Sequence, residues 1–158
     1  MEVSYISFDS KLHVGQIAIA QTLMPEVEAF FARAIELSFP IAKVVPAAEY
    51  GWDDERLMAE NVSSGFNYRL IAGLNNPSAH AKGLAFDINP MQNPYIRYLG
   101  DQTLIKPQGA VYDSLEQGTL TANHPLVKLM QGFGWEWGGE WPQSSGRVDY
   151  QHFQKQIP

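Results

Sequence analysis

The stretch SAHAKGLAFDINP, at residues 78–90, contains two side chains that can bind a metal ion. It places an imidazole, His80, in a turn-forming run and a carboxylate, Asp87, between two large apolar residues. The apolar neighbours predict that Asp87 lies on a buried strand over residues 83–88, where its charge must be paired or bound to a metal. A metal ion would meet that need, and a buried ion pair with Arg69 would meet it equally well.

A second pair of such residues, Asp149 and His152, lies near the end of the chain. Together with His80 and Asp87, His152 completes two imidazoles and one carboxylate, a set that suits a zinc ion with its fourth position open to water. The odd separation of Asp149 from His152 sends their side chains to opposite faces of a regular strand. Asp149 therefore reaches the same site only if a bulge or a turn intervenes, and it could instead orient the histidine by hydrogen bonding.

Other side chains allow two interpretations each. Arg69 lies in an apolar stretch, where it could form an ordinary ion pair or present a fixed cation to a carboxylate or a developing oxyanion. Trp135, Trp137 and Trp141 could belong to the core or to a groove wall that grips a substrate. Both interpretations stay open for each residue.

Length and composition narrow the class of protein. The 158 residues suit one domain over 1–158, and we expect it to be a monomer. Scattered basic residues and a formal charge of −6 disfavour nucleic-acid and anionic membrane partners. The absence of cysteine excludes disulfides, thiolate metal sites and a cysteine nucleophile. We expect neither a signal peptide nor a membrane span, because no segment has the apolar length that either needs.

The order of predicted elements favours an α+β fold. Apolar residues at three- and four-residue spacing predict a helix over residues 25–38, and a second helix begins near 123–125. We predict a strand over 66–72, besides the one that carries Asp87, and short strands at the end of the chain. Strands mix with helices without βαβ alternation, which indicates α+β. The polar, proline-containing passage 89–122 is expected to be a surface excursion that rims a site.

The motif Ser78-x-His80-x-x-Gly83-x-Ala85-x-Asp87, followed by Asp149-x-x-His152, resembles the signature of a known family. These are the VanY-like zinc D-alanyl-D-alanine carboxypeptidases and L-alanyl-D-glutamate endopeptidases, which share their fold with hedgehog signalling domains. The segments FNYR at 66–69 and GWEWGGEW at 134–141 are also similar, so the likeness spans most of the chain. The resemblance implies an α+β fold in which helices pack on a small antiparallel sheet.

The resemblance also implies a set of site residues. One zinc ion would be bound by His80, Asp87 and His152, with Asp149 as general base and Arg69 as an electrophilic clamp. Substrate contacts would come from Ser78, Tyr68, Trp137 and Trp141. Many relatives carry Glu at the base position, whereas this chain has Asp149, which is one methylene shorter.

The function that the resemblance implies is zinc-dependent hydrolysis of a D-amino-acid-containing bond in peptidoglycan stem peptides. The protein would be a D-Ala-D-Ala carboxypeptidase or an L-Ala-D-Glu endopeptidase, and it would act on the cell wall in the periplasm or outside the cell. The alternative is a non-catalytic zinc-containing module that binds a wall peptide or a protein partner, as hedgehog-type relatives do. The presence of both Asp149 and Arg69 favours catalysis, because a binding module needs no base beside its metal.

Overall fold

The computed structural model describes residues 1–70 and 76–157. The helices are α1 (Met24–Glu36), α2 (Asp54–Ala59) and α3 (Pro125–Gly132). The strands are β1 (Glu2–Ile6), β2 (Leu12–Gln16), β3 (Lys43–Val44), β4 (Val62–Ser63), β5 (Ala85–Asp87), β6 (Tyr95–Leu99), β7 (Gln102–Lys106), β8 (Glu136–Trp137), β9 (Arg147–Asp149) and β10 (His152–Gln154).

The strands form four small sheets. β1 pairs with β2, β3 pairs in parallel with β4, and the two larger sheets are antiparallel with the orders β5-β10-β8 and β7-β6-β9. The α+β class and the small antiparallel sheets expected from the sequence are confirmed. Within the described ranges, no helix has the length and apolar character needed to cross a membrane.

The central sheet, β5-β10-β8, is anchored on α1 by aromatic side chains. Phe86 of β5 and Phe153 of β10 are cross-strand partners whose rings stack with centroids 5.1 Å apart. Phe30 of α1 meets both rings edge-on, at 5.3 and 5.7 Å. Each of these side chains is fully buried, and burying one contributes roughly 2–3 kcal/mol.

The same strand alternation creates the functional face. Asp87 follows Phe86 and His152 precedes Phe153, and the register pairs Asp87 directly with His152. Successive side chains on a strand point to opposite faces, so a carboxylate and an imidazole meet on the face turned away from α1. The packing of the two phenylalanines thereby fixes the position of the two polar side chains.

Both helices predicted from the sequence are confirmed. α1 agrees with the predicted range 25–38 within two residues at each end, and α3 begins within the range predicted for its start. α1 begins beside Pro25 and buries the apolar stripe that its spacing predicted. α3 begins at Pro125, where the imidazole of His124 accepts a hydrogen bond from the Leu126 amide and so caps the helix.

The strand predicted over 66–72 is wrong where the structure describes it, and residues 71–72 lie outside the described residues. The amides of Phe66 and Asn67 donate to the loop carbonyls of Ala18 and His80, so they are not available to a strand ladder. Residues 66–70 instead form an irregular stretch with one isolated bridge, between Leu70 and Pro77, and Arg69 and Leu70 line the cleft.

The passage 89–122 is more regular than its composition predicts. β6 and β7 form an antiparallel hairpin within it, and β6 also pairs with β9. This regular structure over residues 95–106 was not predicted from the sequence. The expectation that this passage rims a site agrees with the cleft, which the hairpin lines.

Asn89, just beyond β5, ties two loops to the functional strand. Its buried side chain accepts from the Ala42 amide at 2.9 Å and donates to the carbonyls of Pro40 and Gly118 at 2.8 and 3.1 Å. Its φ of 46° lies in the left-handed region, which asparagine tolerates better than most residues. The side-chain hydrogen bonds of Asn89 thus fix the end of β5 against both loops.

We predict that Asn89→Ala lowers the free energy of unfolding by on the order of 3 kcal/mol, because it leaves buried backbone groups without partners. Urea unfolding of the metal-free protein measures this loss. Asn123→Ala, at an exposed position just before α3, is the matched control and should change stability by less than about 0.5 kcal/mol. Equal effects of the two substitutions would contradict the role of Asn89.

Candidate active site

The structure brings together the three side chains that the sequence singled out as metal ligands. The Nε2 atom of His80 lies 3.0 Å from the Nδ1 atom of His152 and 3.2 Å from the Oδ2 atom of Asp87. His152 Nδ1 lies 3.0 Å from the other carboxylate oxygen of Asp87. All three residues are at least nine-tenths buried, so these atoms face one another with little access to bulk water.

His80 reaches this cluster from a single turn of 3-10 helix, His80–Lys82. The Ser78 hydroxyl accepts from the Ala81 amide at 3.3 Å and so braces the start of the turn. The turn ends at Gly83, whose φ is +67° and where a Cβ would lie 2.9 Å from the backbone nitrogen of Ala20. Any larger residue there would strain the backbone and push this turn away from the neighbouring loop.

A backbone carbonyl fixes the tautomer of His80. Its Nδ1 atom lies 2.7 Å from the carbonyl oxygen of Gly65, which can only accept, so Nδ1 carries the proton. The Nε2 atom of neutral His80 therefore presents a lone pair to the cluster. Gly65 also packs tightly against the segment that contains Ala18. A Cβ on Gly65 would lie 2.2 Å from the carbonyl oxygen of Ala18, so a larger residue would displace the Gly65 carbonyl that binds His80.

A chain of two hydrogen bonds fixes the tautomer of His152. The amide nitrogen of Gln154 donates to a carboxylate oxygen of Glu136 at 2.8 Å, which orients the Gln154 oxygen toward His152. That oxygen lies 3.1 Å from the Nε2 atom of His152, so Nε2 carries the proton. The Nδ1 atom of neutral His152 then presents its lone pair to the same point as His80.

Two lone pairs and a carboxylate thus converge with no proton between them. This arrangement is repulsive unless a positive charge lies there, and the donor set of two imidazoles and one carboxylate fits a zinc ion. In the metal-free protein a proton on His80 supplies the positive charge. Burial opposes that charge, but Asp87 raises the pKa of His80 above its usual value. Burial likewise opposes ionisation of Asp87, yet the two histidines hold its pKa well below the usual range.

Asp149 reaches the site because the chain changes sheets. It ends β9 in one sheet, a turn at Tyr150 and Gln151 follows, and His152 begins β10 in the other. On one regular strand, residues three apart would point to opposite faces, but the turn between β9 and β10 lets Asp149 and His152 reach the same site. Gly138 packs against the Asp149 backbone so closely that a Cβ on Gly138 would lie 2.5 Å from the Asp149 carbonyl oxygen.

The Asp149 carboxyl is enclosed and only weakly supported by neighbours. Its Oδ1 atom finds no hydrogen-bond donor among the residues that the structure describes. Burial, with the nearby Asp87 charge, raises the pKa of Asp149 to about 7, although His152 and Arg69 act in the opposite direction. A carboxyl that titrates near neutrality can both accept and return a proton.

Arg69 enters the cleft paired with a carboxylate that the sequence did not indicate. Its Nε atom lies 2.9 Å from an Asp54 oxygen, and the side-chain amide of Asn67 donates to the same oxygen at 3.2 Å. The alternative pairing of Arg69 with Asp87 is not formed, since Asp87 contacts the two histidines. Burial raises the pKa of Asp54, while Arg69 favours its charged form.

These residues line a cleft of about 610 Å³. Ser78 and Trp141 are part of its wall, and the Trp141 ring lies 5.5 Å from the His152 ring. Trp137 does not line the cleft: it is 3% exposed, packs in the core and donates from Nε1 to the Tyr150 carbonyl at 2.8 Å. Tyr68 is 71% exposed and also lies outside the cleft lining. The structure therefore brings Ser78 and Trp141 to the cleft and places the other two predicted substrate contacts elsewhere.

Several site residues were missed from the sequence. Gln154 had a usable signal, because it lies two positions after His152 and therefore on the same strand face. Gly65, Asp54 and Gly138 had none, since their roles depend on contacts between segments that are distant in sequence. Each of them positions a group that the motif does identify.

Comparisons with known proteins agree with the motif. A family model described as D-alanyl-D-alanine carboxypeptidase matches residues 72–155, which is more than half of the chain. The matched span contains His80, Asp87, Asp149 and His152, whereas Arg69 lies just before it. No curated protein and no solved structure matches the chain.

We predict that Gln154→Ala weakens zinc binding by about 10- to 100-fold, because His152 loses the acceptor that fixes its tautomer. Competition titration against a coloured zinc chelator measures the affinity. Gln156→Ala, at an exposed position two residues further on, is the matched control and should leave the affinity unchanged. An unchanged affinity in the Gln154 variant would show that the orientation of His152 does not depend on this bond.

We predict that Asp149→Asn removes part of the pH dependence of stability in the metal-free protein. Burial raises the pKa of Asp149 in the folded protein from its usual value of 3.8 to about 7, so the protonated carboxyl stabilises the fold at low pH. That contribution is lost as pH rises from about 4 to about 7. Denaturant unfolding at pH 4, 5, 6 and 7 should show the stability of the native protein falling relative to the variant. A difference that is constant across this window would contradict the shift.

Proposed function

The chain belongs to the D-alanyl-D-alanine carboxypeptidase family of peptidases, and we propose that it is a zinc-dependent enzyme acting on peptidoglycan stem peptides. It would hydrolyse a bond beside a D-amino acid, either as a D-Ala-D-Ala carboxypeptidase or as an L-Ala-D-Glu endopeptidase. The observation that carries the proposal is the convergence of one ligand atom each from His80, Asp87 and His152 in a cleft that Asp149 also lines.

His80, Asp87 and His152 would hold the zinc ion. When bound, zinc supplies a Lewis acid that acidifies water and polarises the scissile carbonyl. The protein's own contribution is to keep the two imidazoles neutral and correctly oriented, through the Gly65 carbonyl and the Gln154 amide. Burial of the three ligands also excludes bulk water, which strengthens every charge interaction in the site.

Asp149 would act as the general base and then as the general acid. Its carboxylate takes a proton from the attacking water and later delivers that proton to the nitrogen of the leaving amine. Two observations support this role: Asp149 lines the same cleft as the three proposed metal ligands, and its Oδ1 atom has no donor among the described residues. A carboxyl committed to a structural hydrogen bond would be a poorer proton carrier.

Arg69 would stabilise the negative charge that develops on the carbonyl oxygen. Its guanidinium lines the cleft, and the ion pair with Asp54 restricts where it can move. Trp141 would provide an apolar wall beside His152, against which the substrate backbone can pack. Ser78 braces the turn that carries His80 and is also near enough to the cleft to meet the substrate.

We predict that Asp149→Ala leaves zinc binding largely intact and lowers turnover by about a hundredfold or more, because the proton carrier is lost. The assay incubates purified peptidoglycan with zinc-loaded protein, with and without a chelator, and identifies the products by mass spectrometry. Asp101→Ala, at the exposed turn of the β6-β7 hairpin, is the matched control and should retain full turnover.

The reaction products show whether the enzyme cuts the D-Ala-D-Ala bond or the L-Ala-D-Glu bond. Free D-alanine identifies a carboxypeptidase, and a new D-glutamate amino terminus identifies an endopeptidase. If protein that holds one zinc ion gives no chelator-sensitive product, the non-catalytic binding module replaces the enzyme. Near-normal hydrolysis by the Asp149 variant would show that the base is another group.

A further inference from the structure

One face of the β7-β6-β9 sheet forms a wall of the cleft. The register places Lys106, Tyr95 and Asp149 side by side in one row. The next row on the same face, two residues along each strand, consists of Leu104, Arg97 and Arg147. All six side chains line the cleft. The second row therefore continues the functional surface away from the catalytic carboxyl.

Arg97 and Arg147 are direct cross-strand partners on this face. Directly opposite residues of an antiparallel pair have Cβ atoms about 4.5–5.5 Å apart, and like charges in such a pair repel. Both residues line the same cleft, in which Arg147 is partly buried and Arg97 is exposed to solvent. The repulsion is relieved when an anion lies between the two guanidinium groups.

The other cations of the cleft already have carboxylate partners. Arg69 is paired with Asp54, and Lys106 is paired with Glu55. Within residues 1–70 and 76–157, no carboxylate lies within ion-pair distance of Arg97 or Arg147. Among the arginine and lysine residues that line the cleft, Arg97 and Arg147 thus supply positive charge without a carboxylate partner in the described residues, whereas Arg69 and Lys106 are each paired.

Arg147 is also held close to the metal-ligand cluster. Its guanidinium carbon lies 4.9 Å from the centroid of the Trp141 ring, in a cation–π contact. The Trp141 ring in turn lies 5.5 Å from the ring of His152. The stacked guanidinium is restricted in orientation, and its N–H groups remain free to bind a planar anion.

We propose that Arg97 and Arg147 form a subsite for a carboxylate of the peptide substrate, beside the bond that is cut. The inference rests on the proposed peptidase function and specifies which substrates it selects. One step of two residues along a strand covers about 7 Å, the length of about two residues of an extended peptide. The subsite thus selects a carboxylate within about two residues of the scissile bond, which two guanidinium forks can bind together.

Two kinds of stem peptide would provide that carboxylate. One is the free C-terminus of a peptide from which the last residue is removed. The other is the carboxylate of an internal D-glutamate next to the bond that an endopeptidase cuts. The shared chemistry is a carboxylate near the scissile bond, and amidation of that carboxylate abolishes the interaction in either case.

Calorimetric titration of zinc-loaded Asp149→Asn protein, which should not consume the ligand, tests the subsite directly. The probes are two pairs of synthetic stem peptides: one pair has a C-terminal carboxylate or carboxamide, and the other has D-glutamate or its amidated form. We expect one pair to show about ten- to a hundredfold tighter binding of the carboxylate member. The pair that shows this preference identifies the source.

Substitution of the arginines must remove this preference. In the same Asp149→Asn protein, Arg97→Met and Arg147→Met should each reduce the ratio of the two affinities to about threefold or less. Arg97→Lys should retain part of it, because the charge remains. Lys106→Met is the matched control, since Lys106 lies on the same sheet face but is already paired, and it should leave the ratio unchanged. Thermal unfolding of each variant verifies that it folds.

These experiments distinguish an error in the proposed subsite from an error in the proposed function. If neither carboxylate is preferred, or if the arginine variants keep the preference, the subsite is wrong, and chelator-sensitive hydrolysis by the native protein would still establish the enzyme. If the preference depends on the arginines but the zinc-loaded native protein cuts no peptide, the subsite stands and belongs to a binding module.

Discussion

The lone pairs of His80 and His152 and the carboxylate of Asp87 face one another at 3.0–3.2 Å, and this contact requires a positive charge at its centre. Each imidazole gives its one proton to an acceptor outside the cluster, so no proton remains to separate the three atoms. Zinc meets the requirement, and in its absence a proton does so, because Asp87 favours the charged form of His80 against the effect of burial. Metal binding must therefore displace a proton, which couples zinc affinity to pH.

Two sheets of the fold position the residues of this site. The central sheet packs Phe86 and Phe153 on α1, and strand alternation then directs Asp87 and His152 to the opposite face. The second antiparallel sheet brings Asp149 to the same cleft across a two-residue turn. The site lies at the junction of the two sheets, so separately packed elements supply the proposed metal ligands and the proposed base.

How much of this the sequence predicts depends on the range of the contacts involved. The structure brings the three candidate ligands and Asp149, which the motif singles out, into one cleft. The fates of Trp135, Trp137 and Trp141 were not predictable, since burial of Trp137 depends on its cross-strand partner Phe153 and not on its neighbours in the chain. The β6-β7 hairpin was missed because apolar and polar residues do not alternate along its two strands, and most of its side chains, apolar ones included, are exposed.

The central claim is that His80, Asp87 and His152 bind one zinc ion through the atoms that now face one another. X-ray absorption spectroscopy of the zinc-loaded protein tests it most directly, because the spectrum reports the number and type of ligands. We predict one tightly bound zinc per chain, with two imidazole nitrogens and only nitrogen or oxygen donors at about 2.0–2.1 Å. Loss of one imidazole in a His80→Ala protein would complete the assignment. Substoichiometric binding, or a spectrum without two imidazoles, would contradict it.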